Sequence, residues 1–92
     1  MSLGEVDGDK LTKALTELLT RFEIYRAKGF AALPGKPMRQ VVQAVGKRLD
    51  THFDRMWHSS EARKTELVVI GKGFDAAEIR KALSAAEVER VS

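Results

Sequence analysis

Cysteine is absent from the sequence. That excludes disulfides, thiolate metal sites and cysteine nucleophiles together, and it accords with a cytoplasmic protein. No apolar run approaches the ~20 residues of a membrane span; Leu67-Val68-Val69-Ile70 is only of strand length. No membrane partner is therefore expected. The opening Met1-Ser2-Leu3-Gly4-Glu5-Val6-Asp7 lacks the basic start and apolar middle of a secretory signal. Charge of one sign never accumulates either. The net charge of +3 is spread from Lys10 to Arg90 with acids between, so nucleic acid is not the expected partner on charge grounds.

What is there reads as one ordinary globular domain: 92 residues, 43% apolar and 32% charged. A chain this short buries roughly 60–65% of its unfolded surface and supports one modest core. Residues 1–8 are polar with two glycines and read as a tag or linker remnant, leaving 9–92 as the domain. Asp9 stands where an N-cap belongs, and Leu11, Leu15, Leu18 and Phe22 follow at helical spacing, predicting a helix over 10–20. An extended segment over 22–33 ends at Pro34-Gly35, a type II turn pair. Strands are expected over 38–45 and 48–54, joined by Gly46-Lys47 in a type II′ hairpin. Residues 66–71 form the most apolar strand, whose continuous run predicts an inner place in the sheet. Asp75 and Glu78 make a capping box before the apolar face of Ile79, Ala82, Leu83 and Ala86. The order helix, four strands, helix has no strand-helix-strand alternation. It predicts an α+β, two-layer domain: a four-stranded, mostly antiparallel sheet with the N- and C-terminal helices on one face.

Reactive constellations are weak. Gly29, Gly35 and Lys36 do not make a phosphate loop: five residues separate the glycines and Pro37 stands where the magnesium-binding hydroxyl belongs. Ser59 and Ser60 lie beside His58 without a glycine elbow, so no catalytic residue is assigned. Asp50, His52 and Asp54 alternate along one strand and share a face, with His58 nearby; imidazole and carboxylates of this kind can bind zinc, cobalt or nickel. At same-face spacings of roughly 6–7 Å they need another segment to converge on an ion. The blander reading is the wet side of a hairpin whose other side carries Leu49, Phe53 and Trp57. Arg26 and Lys28 fall on one side of their strand with Phe22, Ile24 and Phe30, opposite Tyr25, Ala27, Gly29, Ala31 and Leu33. The small residues assign that second side to the helix-covered core. Arg26, Lys28 and Phe30 then stand on the open face, either as solvated cations covering apolar neighbours or as a partner-docking surface.

The run Arg26-Ala27-Lys28-Gly29-Phe30 with Leu33-Pro34-Gly35-Lys36-Pro37-Met38-Arg39, then Asp54-Arg55-Met56-Trp57, Glu61-Ala62-Arg63 and Leu67-Val68-Val69-Ile70-Gly71, resembles the C-terminal domain of CobW-type cobalamin-biosynthesis proteins over nearly the whole chain. The resemblance implies an upstream P-loop GTPase domain with a cysteine-rich metal motif, and a metallochaperone that couples GTP state to metal delivery. Cobalt or zinc and GTP-Mg are implied for such a full-length protein, with the upstream GTPase domain as partner and cobaltochelatase as the acceptor of cobalt. This sequence carries neither the P-loop nor the cysteines, so no cofactor and no catalysis are assigned to it. The leading expectation is a non-catalytic accessory or docking domain of a GTP-dependent cobalt chaperone. The alternative is a stand-alone module binding RNA or another anion through its basic sheet face.

Overall fold

The computed structural model describes residues 1–88; residues 89–92, which close the expected 9–92 domain, lie outside the described residues. Its first departure from the sequence reading is at the N-terminus. Residues 1–8 are not a loose tail: Ser2–Leu3 form strand β1, and Leu3 and Val6 are buried. The polar composition of this segment conceals two apolar side chains that the core takes up.

Helix α1 spans Gly8–Arg21, two residues earlier than its predicted start. Asp7, in extended backbone, caps it by accepting from the Lys10 amide at 3.0 Å. Asp9 instead lies in the first turn, at the positive end of the helix dipole. Leu11, Leu15, Leu18 and Leu19 form the buried stripe.

Strands β2 (Glu23–Ala31), β3 (Met38–Val45), β4 (Arg48–Met56) and β5 (Thr65–Lys72) follow, then helix α2 (Ala76–Ser84). The turns carry the expected chemistry. The Lys36 amide donates to the Leu33 carbonyl at 3.2 Å across Pro34-Gly35, with Gly35 at φ 73°, as a type II turn requires. Gly46 has φ 59° between the paired Val45 and Arg48, fitting a type II′ hairpin. Asp75 caps α2, its carboxylate accepting from the Ala77 amide at 2.9 Å.

Among the described residues the sheet has five strands, not four, in the order β1-β5-β2-β3-β4, with every neighbouring pair antiparallel. Both helices lie on one face, where Leu11, Leu18, Ile79 and Leu83 meet Ala27, Ala31, Val42, Ala44 and Leu67. The inner place of β5 has a different cause from the one its apolar run predicted. Its outer side is covered by β1, while Val68 and Ile70 point to the uncovered face at 63% and 55% exposure.

Two details of β2 also differ. The β2–β5 register shifts between Ile24 and Arg26, and this bulge resets the alternation. Ile24 is therefore buried on the helix side and Tyr25 is exposed, the reverse of strict period two. Gly29 serves strand approach rather than helix approach: a Cβ there would meet the Glu66 carbonyl oxygen at 1.9 Å.

Candidate functional site

The face away from the helices is built by register. On β2, Arg26 pairs with Val45 and Ile70, Lys28 with Gln43 and Val68, and Phe30 with Val41 and Glu66. Paired residues share a face. The result is two cations, Arg26 between Val45 and Ile70 and Lys28 between Gln43 and Val68, and Arg26, Lys28, Val68 and Ile70 line a shallow depression. Val45, at 58% exposure, extends the strip toward β4. Arg26 and Lys28 thus stand where the alternation placed them, exposed and on the open face.

Phe30 is the least available of the three. It is half-buried, with the Arg39 guanidinium carbon 4.6 Å from its ring centre and Trp57 edge-on at 5.9 Å. Trp57 in turn lies 5.9 Å from the Arg63 guanidinium carbon. Arg63 donates to the carbonyls of Leu33 (2.7 Å) and Lys36 (2.6 Å), holding both ends of the Pro34-Gly35 turn. This Arg39-Phe30-Trp57-Arg63 arrangement gave no sequence signal beyond residue type, because its members come from separate segments. Only the register and the loop conformation bring them together.

Asp50 and His52 extend the open face onto β4, opposite Gln43 and Val41. As a metal set the four expected residues do not converge. Asp54 is held by Arg39 in a two-pronged pair at 3.2 and 2.5 Å, which keeps its carboxyl below the usual range, chiefly through that hydrogen bond. Asp50 lies 3.4 Å from Arg48. His58 gives its backbone amide to Glu61, whose carboxylate also receives two hydrogen bonds from Arg55. Among the described residues, no group of three His, Cys, Asp or Glu side chains is placed to hold a metal ion. The donor set does not fit one, and Gly29 lies mid-strand against β5 rather than in a phosphate-binding loop.

Residues 2–87 match the model of the cobalamin synthesis protein cobW C-terminal domain. A curated protein of Pseudomonas aeruginosa named zinc chaperone CobW is 56% identical over 86 residues, covering 94% of this chain and 23% of the relative. One of the same name from Sinorhizobium is 47% identical over 87 residues, covering 92% and 25%. The chain thus spans about a quarter of the length of these relatives. Among solved structures, Zn(II)-bound YjiA GTPase from E. coli aligns with a TM-score of 0.84 at 26% identity, over 96% of this chain and 28% of that one. A Zn(II)-bound triple mutant of the same GTPase gives 0.86.

Proposed function

This chain belongs to the family of cobalamin synthesis protein cobW C-terminal domains, and on that premise we propose that it is the docking domain of a GTP-dependent metallochaperone, without chemistry of its own. The observation that carries this reading is the one-sided fold. Both helices cover one face of the sheet, while the other presents Arg26 and Lys28 beside exposed Val45, Val68 and Ile70. A mixed basic and apolar face of this kind suits a contact between domains, which is smaller and more polar than an obligate interface. We take the GTPase part of the same protein as its partner.

Zinc is the cargo we favour, because the relatives are named for zinc; the resemblance in sequence implies cobalt or zinc, with delivery of cobalt to cobaltochelatase as its leading expectation. The anionic-ligand alternative finds less support. Base stacking needs two or three open rings, and Phe30 is already covered by Arg39.

Calorimetry between this chain and a separately prepared GTPase part tests the reading. Reversing both charges, Arg26→Glu with Lys28→Glu, should weaken the association by roughly tenfold or more, while the chain alone turns over no GTP. Unchanged affinity would remove this face from the proposal; turnover by the chain alone would remove its non-catalytic role.

A further inference from the structure

Among the described residues, strand β4 forms one border of the sheet and pairs on a single side, with β3. Val45 and Arg48 flank the two-residue turn and so exchange their backbone hydrogen bonds. Alternation from that pair turns the amides and carbonyls of Leu49, Thr51 and Phe53 outward, away from β3. A row of outward backbone groups is a template for a further strand. The register shift between Arg39 and Gln40, opposite Phe53 and Arg55, ends the regular run. The stretch able to pair is therefore Arg48 to Asp54.

We propose that this border pairs with the same border of a second copy of the chain, antiparallel about a two-fold axis at Thr51. Such an interface must be self-complementary, and the sequence Arg48-Leu49-Asp50-Thr51-His52-Phe53-Asp54 is. Arg48 meets Asp54, Leu49 meets Phe53, Asp50 meets His52, and Thr51 meets its own copy; symmetry makes each unlike pair twice. Outward groups must oppose outward groups, so the axis can move only in whole-residue steps. Centring on Asp50 sets that carboxylate against itself and Arg48 against His52. Centring on His52 sets Asp50 against Asp54. Only the Thr51 axis sets Arg48 against a carboxylate, that of Asp54, and the His52 imidazole against Asp50 while keeping the full length; Asp54 would share its carboxylate between Arg48 of the second copy and Arg39 of its own chain.

The apolar pair argues the same way. Leu49 and Phe53 lie on the helix side, in register with buried Ala44 and with Gln40; Leu49 packs against the core, while Phe53 remains 44% exposed. Each would cover the other across the axis. The in-chain contact between Arg48 and Asp50 is between well-exposed groups at 3.4 Å, and such pairs are weak enough to be exchanged. One strand pair buries less than the roughly 1,200 Å² of stable complexes, so the dimer is weak and concentration-dependent. The axis stands perpendicular to the sheet, which sets the two open faces side by side on one surface. The pairing uses the β4 border and not Arg26, Lys28, Val68 or Ile70, so it stands or falls separately from the docking reading.

Sedimentation equilibrium on this chain from micromolar to millimolar concentration tests it, with thermal unfolding followed in parallel to confirm that each variant folds. Wild type should dimerise. Asp50→Lys and His52→Glu should each weaken dimerisation, the second by roughly tenfold because it repeats a like-charge contact twice. An equimolar mixture of the two should recover it, since the introduced lysine then faces the introduced glutamate while His52 faces Asp50. Thr51→Pro, which removes an outward amide, should leave a folded monomer; Arg26→Glu should change nothing. A chain that is monomeric throughout overturns the proposal, as does a dimer indifferent to the Asp50, His52 and Thr51 variants.

Discussion

Glu61 ties the loop after β4 back to its strand. Its carboxylate takes two hydrogen bonds from Arg55 and one from the His58 amide, and these hold its pKa at about 2, down from 4.5. A carboxyl lowered in the folded state stabilises the fold above its unfolded pKa, and that contribution is lost as pH falls through the folded value. The loss should therefore run from about pH 4.5 down to about 2. Urea midpoints of the wild type should fall across this window more steeply than those of Glu61→Gln, and parallel curves would contradict the assignment. At this scale alternation placed Arg26 and Lys28 correctly, since their exposure depends on parity alone. It misplaced Ile24 and Tyr25, because the bulge beside them inserts a residue that no composition announces. Arg63 as the clamp on Leu33 and Lys36 was not legible, since its partners lie 30 and 27 positions away.

Among the elements, the two helices were the most readable, through their leucine and isoleucine spacing. The start of α1 was less so. Both Asp7 and Asp9 are cap-type residues, and only the backbone decides that Asp7 is the extended one whose carboxylate reaches the Lys10 amide. Asp7→Ala should cost about 1 kcal/mol of stability, and Asp9→Ala only a few tenths through the helix dipole. Chemical denaturation of the two variants decides between them, and the reverse order would return the cap to Asp9. Strand β1 was invisible because two residues cannot show alternation; its pairing of Ser2 with Glu66 and Leu3 with Thr65 comes entirely from β5. The sharing of one face by Asp50 and His52, by contrast, followed directly from strand parity.

At the scale of the whole molecule, the two-layer arrangement follows from helix and strand order, and the fifth strand is an addition to it rather than a different plan. The placement of the first residues is decisive here. Val6 is fully buried, its amide donates to Ala32 at 2.9 Å, and it bridges to Glu87. Val6→Asp places a charge in this seam and should cost at least about 3 kcal/mol. A loss below about 1 kcal/mol in urea unfolding would restore the view that residues 1–8 hang outside the fold. The same seam carries bonds from the Asp7 amide to Ala86 and from the Val88 amide to Glu5, both at 2.9 Å. Tension applied through polypeptide flanking the domain would therefore load this seam and the short β1–β5 pairing first. It would unzip those short contacts before straining the long ladders between β2, β3 and β5, so the domain would hang mechanically from its edge rather than bear load as a link in series.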